Sequence, residues 1–369
     1  MNRSIRRVLI AAPYGIGDLL FLTPVFRALR LLPTVEKVDL LLGSRTEVIA
    51  ESNPHVDEIF SVDKDFYHAQ SKRVVLLDLY RLAKRLRRNR YDLLLDYSMR
   101  DEYSFFGQFF LGIPIRAGFS YRRRGFFLNR KIFLPQGFYG HHVVNYVCQV
   151  AEKAEVPVRD RFMEFYLTDQ DRQEAMQYLK DHRVHFKKWI TLSPGGGESW
   201  GKDAHFKRWP VPLFAALMNG LKRFVDFDGV ILLGSSKEKE LVRNWQNYTK
   251  ITSLNAMGEV TLPQAAALIE KSLLFVGNDG GLVHLSHALH VPLIAFYGPV
   301  DPEVYGPFPP SSDAIAIYRS DLDCRPCYQK FRYRNDCPGR ECLQDLKPED
   351  VLRILEKKNF FKSGIFSWR

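Results

Sequence analysis

Val276-Gly277-Asn278-Asp279-Gly280-Gly281-Leu282-Val283-His284-Leu285-Ser286-His287-Ala288-Leu289 decides how the rest of this chain is read. The apolar run from Ser272 to Val276 reads as a buried strand, Gly277 to Gly281 as a turn, and helical spacing begins at Leu282. A strand that turns through glycines into a helix aims unpaired backbone N–H groups at the point where a phosphate can sit. Glycines at 280 and 281 let that phosphate approach the main chain. The plainer reading is that Asp279 caps the helix and the glycines only turn the chain.

Working outward, the same grammar recurs. Arg7 to Ala12 reads as a strand, Pro13-Tyr14-Gly15-Ile16-Gly17-Asp18 as a turn, and Leu19 to Leu31 as a helix, the first half of a βαβ unit. Strands follow at Val38–Leu42, Glu58–Val62 and Asp92–Asp96, separated by helical segments at Thr46–Ser52 and Leu77–Arg90. Between Phe105 and Lys131 the pattern weakens and part of the chain reads as loop. A second series begins with a helix from Gln170 to Asp181 and a strand from Trp189 to Leu192. A helix from Val211 to Phe224, a strand from Gly229 to Leu233 and helices at Lys237–Asn247 and Leu262–Glu270 follow, before the opening stretch and a strand at Pro292–Phe296. The expected fold is α/β with two Rossmann-like halves: residues 1–165, residues 166–350, and a C-terminal helix with a basic, aromatic tail over 351–369.

The chain has 369 residues, enough for two cores. No apolar run approaches the roughly 18 residues that a membrane span needs. Met1 to Arg7 runs into a strand with no signal-peptide core, so a cytoplasmic protein is expected. Net charge is +11, and Arg81 to Lys131 holds thirteen Lys and Arg against four Asp and Glu. Such a block suits an anionic partner: nucleic acid, a phosphorylated glycolipid or a membrane surface.

Gly15-x-Gly17 after the first strand invites a dinucleotide-binding reading, which two departures oppose. Leu20 stands where a third Gly or Ala belongs, and Gly43-Ser44-Arg45 where an acidic residue should close the second strand. What the loop offers is Asp18, a carboxylate at a helix start on the ligand-binding edge of the sheet, either a cap or a base. In the second half, Gly195-Gly196-Gly197, Lys207-Arg208-Trp209-Pro210, Gly234 to Glu238 and Asp279-Gly280-Gly281 all fall at strand ends. Lys207 would meet a diphosphate, Glu238 a ribose diol, and the N–H groups near Gly280 the leaving phosphate. No carboxylate pair stands at these strand ends, so the pocket is expected to need no metal or other cofactor.

At these residues the chain resembles the lipopolysaccharide heptosyltransferases, family 9 glycosyltransferases of GT-B fold, over nearly its whole length. The matching motifs are Gly15-Ile16-Gly17-Asp18 with Pro24, Lys207-x-Trp209-Pro210, Gly234 with Glu238, Asp279 and Gly281 with His284 and Ala288, and Tyr297-Gly298-Pro299-x-Asp301-Pro302. The resemblance implies two domains facing each other across a cleft. It also implies inverting, metal-independent transfer of a heptose or related sugar, with ADP-heptose as expected donor, to a lipopolysaccharide core or other lipid-linked acceptor. Carried over by position, Asp18 is the general base. Gly196, Gly197, Lys207, Glu238, Asp279, Gly280, Gly281, Leu282 and His284 form the donor site. Gly15, Gly17 and the Arg122-Arg123-Arg124 loop are assigned to the acceptor. The family often has Thr or Ser after the Asp, where this chain has Gly280, so a hydroxyl contact is lost.

Cys324, Cys327, Cys337 and Cys342 have a C-x2-C-x9-C-x4-C spacing that suits a structural zinc, with redox or buried thiols as alternatives. Cys148 is expected in the core. His284, His287 and His290 lie on one expected helix, His284 and His287 at i, i+3, and packing or a phosphate contact is expected there in preference to a metal. Phe105, Phe106, Phe109 and Phe110 share a helical face that is expected to point into the core, the alternative being that, with the basic residues that follow, it meets a membrane headgroup layer. The Arg122–Arg124 loop and the tail from Phe360 to Arg369 suit peripheral contact with the inner membrane. A monomer is expected, with no nucleic acid bound. The competing readings are a nucleotide-sugar epimerase of the same fold and a nucleic-acid binder using the Arg81–Lys131 region.

Overall fold

The computed structural model describes residues 4–62, 70–197, 200–333, 337 and 339–362. The chain divides into two compact units, Met1–Tyr166 and Leu167–Arg369.

Six strands form the first sheet: β1 (Arg7–Ala12), β2 (Lys37–Gly43), β3 (Glu58–Val62), β4 (Leu93–Asp96), β5 (Ile115–Ser120) and β6 (Arg130–Phe133). They lie in the order β3-β2-β1-β4-β5-β6, and every pairing is parallel. The inner strands are apolar along their length because helices cover both faces. The stretch between Phe105 and Lys131 supplies β5 and β6, which the glycine punctuation had hidden. Leu19 to Leu31 is not one helix: Ile16–Leu20 ends and Thr23–Arg30 restarts with Pro24 in its first turn. Proline has no N–H for the preceding turn, and the Thr23 hydroxyl donates instead to the Leu20 carbonyl at 2.8 Å.

The second sheet repeats the plan with β7 (Trp189–Ser193), β8 (Gly229–Leu232), β9 (Ser253–Asn255), β10 (Leu274–Asn278), β11 (Leu293–Phe296) and β12 (Ala314–Ile317). Its order, β12-β11-β10-β7-β8-β9, is the same succession as the first sheet, again all parallel. The expected helix at Lys237–Asn247 is a pair of 3-10 turns, Ser236–Val242 and Trp245–Asn247.

The C-terminal helix, Pro348–Lys357, belongs to the second unit and not to a separate segment. Val351, Leu352 and Leu355 join its core, and Leu352 packs where Gly220 leaves room in helix Val211–Leu221. Phe360 is fully buried there, and Phe361 stacks on Phe224 at 4.4 Å, so the start of the expected membrane tail is core. Residues 363–369 of that tail lie outside the described residues. Among the described residues no helix is long and apolar enough to cross a membrane.

Candidate active site

In a parallel sheet of this order the crevice opens where the strand succession reverses, outside the C-terminal ends of the two central strands. In the first sheet these are β1 and β4. The loop after β1 carries Gly15, Gly17 and Asp18, and the loop after β4 carries Ser98. Tyr14 joins the two by donating its hydroxyl to the Ser98 carbonyl. Asp18 sits in the first turn of helix Ile16–Leu20, is exposed, and accepts the Gly15 N–H on Oδ2 at 3.0 Å. The carboxylate is thus a cap that faces solvent, which fixes its position without burying it.

Asp96, at the end of β4, was not singled out by its sequence. It is buried and accepts the Ser98 N–H at 2.9 Å and the Ser98 hydroxyl at 2.5 Å. Burial pushes its carboxyl up to about 7 against those two hydrogen bonds. Burial likewise raises the Tyr14 phenol to about 12. Arg122, Arg123 and Arg124 are exposed in the turn after β5, Arg122 and Arg123 both in the left-handed region.

In the second sheet the reversal lies between β7 and β10, and the two glycine loops meet there. A side chain on Gly280 would put its Cβ 2.4 Å from the Gly196 carbonyl oxygen, and one on Gly196 would lie 3.1 Å from the Asp279 carbonyl oxygen. Gly280 is extended, so the demand for glycine there is close approach. Gly196 and Gly197 add left-handed backbone, at φ +77° and +84°. Asn278, the last residue of β10, stitches the crevice: its Nδ2 donates to the Pro194 carbonyl at 2.7 Å, and its Oδ1 accepts the Trp209 N–H at 2.9 Å. Trp209 in turn stacks on Phe296 at 4.2 Å.

That stitch delivers Lys207. Its Nζ lies 2.8 Å from Asp279 Oδ2, with both side chains less than a tenth exposed, and 4.9 Å from the centre of the Trp200 ring. Gly281 and Leu282 form the first turn of helix Gly281–Ala288, whose leading N–H groups have no carbonyl in their own helix to bond. His284 lies buried in the same helix. Burial, then the Lys207 charge, drives its imidazole down to about 3, so it is neutral near pH 7 and offers a hydrogen bond but no cation.

Glu238, expected at a ribose diol, also holds the backbone of its own crevice. It is 2% exposed, with Oε1 accepting the Gly197 N–H and Oε2 the Ser235 N–H, both at 2.9 Å. Arg208 approaches it at 3.7 Å and donates to the Gly195 carbonyl at 2.8 Å. Glu238 therefore clamps the Gly195–Gly197 loop to the Ser235 turn. Its capping-box spacing from Ser235 is the signal that could have shown this.

The cysteine-rich segment packs beside Lys207. Among the described residues no group of three or more His, Cys, Asp or Glu is placed to hold a metal ion. The four thiols are free, Cys327 donating to the Cys324 carbonyl at 3.1 Å and Cys337 accepting the Arg340 N–H at 3.3 Å. Burial raises the Cys327 and Cys342 thiols to about 11, which keeps them protonated. What the segment contributes is the hairpin β13 (Tyr328–Gln329) and β14 (Arg332–Tyr333). Tyr328 and Tyr333 lie 5.0 and 5.4 Å from Trp200, so the hairpin supports the aromatic wall beside Lys207.

Two parallel Rossmann-like sheets of the same strand order in one chain, the second with a lysine held at a glycine crevice, are the architecture of the GT-B fold. Residues 79–335 match the model of glycosyltransferase family 9 (heptosyltransferase), and the chain belongs to that family. It is 28% identical over 364 residues to lipooligosaccharide heptosyltransferase 2 of Haemophilus influenzae, covering 95% of this chain and 98% of that one. Among solved structures, a family 9 glycosyltransferase from Veillonella parvula superposes with a TM-score of 0.77 at 20% identity, covering 98% and 99% of the two chains. The ADP-heptose lps heptosyltransferase II of E. coli gives 0.71 at 22% identity, covering 95% and 98%. The chain is a glycosyltransferase, and the epimerase and nucleic-acid readings fall away.

Proposed function

We propose that this enzyme moves a heptose from ADP-heptose to a lipopolysaccharide-core or other lipid-linked acceptor, inverting the anomeric centre and requiring no metal. The observation that carries this is the Lys207–Asp279 pair beside the Gly196–Gly280 contact. A cation beside a helix N-terminus is the combination that a departing diphosphate would need, which supports this reading. The names of the heptosyltransferase relatives support the sugar and the acceptor class.

In a single displacement, Asp18 takes the proton of an acceptor hydroxyl, whose oxygen attacks the anomeric carbon as the bond to the diphosphate oxygen breaks. The negative charge growing on that oxygen is met by Lys207 and by the N–H groups at the start of Gly281–Ala288. Glu238 acts on the donor indirectly by holding Gly197. The Arg122–Arg124 loop meets acidic or phosphorylated groups of the acceptor. The enzyme works as a peripheral monomer at the cytoplasmic face of the inner membrane, with no nucleic-acid partner.

Incubation with ADP-heptose and a de-acylated core acceptor, against donor alone, tests the reading. Acceptor-dependent ADP release with a glycosylated product, unchanged by EDTA, is expected. Product formation strictly dependent on added divalent metal would overturn the leaving-group assignment. A larger thermal shift with UDP, GDP or CMP than with ADP would overturn the donor.

A further inference from the structure

Three of the four phenylalanines expected in the core, Phe105, Phe109 and Phe110, lie exposed on the surface of the first unit. In helix Asp101–Phe109 the face turned to the sheet is made by Ser104 and Gly107, both buried; a Cβ on Gly107 would stand 2.6 Å from Leu94. Small residues there bring the helix close to β4 and turn Phe105 and Phe109 away from it, while Phe106 packs partly into the core. Phe105 is 41% exposed, Phe109 60%, Phe110 51% and Phe126 78%.

These rings form one connected cluster. Phe105 lies 4.8 Å from Phe109 and 5.1 Å from Phe127, and Phe127 lies 5.2 Å from Phe126. Asp101 holds helix and loop together by accepting the Gly125 and Phe126 N–H groups at 2.7 and 3.0 Å. The loop that delivers Phe126 and Phe127 begins with the exposed Arg122-Arg123-Arg124. Large apolar rings left in water are unfavourable unless something covers them. Three adjacent guanidinium groups favour a cover that is anionic.

We infer that the Phe105–Phe109–Phe110–Phe126 cluster and the Arg122–Arg124 turn form the surface by which this enzyme docks on an anionic lipid bilayer. The rings enter the apolar edge of the headgroup layer and the arginines stay among the phosphates. This rests on the proposed lipid-linked acceptor and names the part of the chain that meets its membrane.

The test is co-sedimentation of the full chain with vesicles of phosphatidylglycerol and phosphatidylcholine, against phosphatidylcholine alone, at low and high salt. The variants are Phe105→Ser/Phe109→Ser/Phe126→Ser and Arg122→Ser/Arg123→Ser/Arg124→Ser. Wild type is expected to prefer the anionic vesicles and to release them with salt. Each triple variant should bind them at least about tenfold more weakly. The phenylalanine variant should keep wild-type turnover on a de-acylated acceptor. Binding of wild type and both variants to the same extent, or wild-type binding to neither vesicle, overturns the inference. Sedimentation velocity showing a wild-type dimer that the phenylalanine variant loses assigns the face to a second copy and overturns it as well. Wild-type turnover without vesicle binding sinks this inference alone; vesicle binding without turnover sinks the proposed reaction alone.

Discussion

Lys207 Nζ and Asp279 Oδ2 form a 2.8 Å ion pair between side chains that are almost wholly buried. They are 72 positions apart in the sequence, and the Asn278 amide that receives the Trp209 N–H sets their register. With little solvent to screen it, a lone charge at either position would be left desolvated.

Lys207→Ala should therefore do two things. It should lower stability by about 3 kcal/mol, as removal of one partner of a buried pair does, and it should abolish measurable ADP binding. Lys207→Met combined with Asp279→Asn should recover most of the stability and none of the binding. Chemical denaturation and ADP titration of the three proteins separate the effects. A single variant as stable as wild type would show that Lys207 is solvated.

Gly280 should not tolerate the hydroxyl residue that the family often carries after the Asp. Gly280→Ser has to push the Gly196 carbonyl aside from a 2.4 Å approach. A cost of about 1–3 kcal/mol is expected, as for other overpacked sites. The donor Michaelis constant should rise at least tenfold. Unchanged donor kinetics would mean that the two glycine loops move apart freely.

Asp18→Asn keeps an oxygen for the Gly15 N–H and removes the charge. Transfer should fall by about 10²–10⁴-fold, the usual worth of a general base, with ADP affinity within a few-fold of wild type. A variant retaining more than about a tenth of the wild-type rate would reduce Asp18 to a helix cap.

Asp96 makes stability depend on pH in a direction opposite to that of a salt-bridged carboxylate. Its folded value, about 7, lies above the ordinary 3.8, so between those values the folded chain holds a proton that the unfolded chain has released. Stability from this group is greatest below pH 3.8 and declines as pH rises toward 7, at up to about 1.4 kcal/mol per pH unit. Asp96→Asn removes the dependence. The melting temperature of the variant relative to wild type should climb from pH 4.5 to pH 7 and then level off. A difference constant across that window would contradict it.

The sequence alone determined both halves of the fold, because apolar strands and glycine corners at their ends are local features that a period and a turn composition reveal. Asp18, Lys207 and Asp279 could be picked out as candidates for a related reason: Asp18 and Asp279 stand beside a glycine and Lys207 three residues before Pro210, at strand ends or helix starts. Tertiary structure alone decided which charges pair. The Lys207–Asp279 contact depends on two loops meeting at a reversal of strand order, which sequence spacing does not report. Glu238 shows the same limit: its position was evident, but not its two backbone partners, one on a different loop. The phenylalanines of helix Asp101–Phe109 show it most plainly. Their apolar stripe is indistinguishable from a core stripe until Gly107 is seen to seat the helix on Leu94 and leave Phe105 and Phe109 outside. A hydrophobic pattern shows that a face must be covered, and only the packing shows whether this chain covers it.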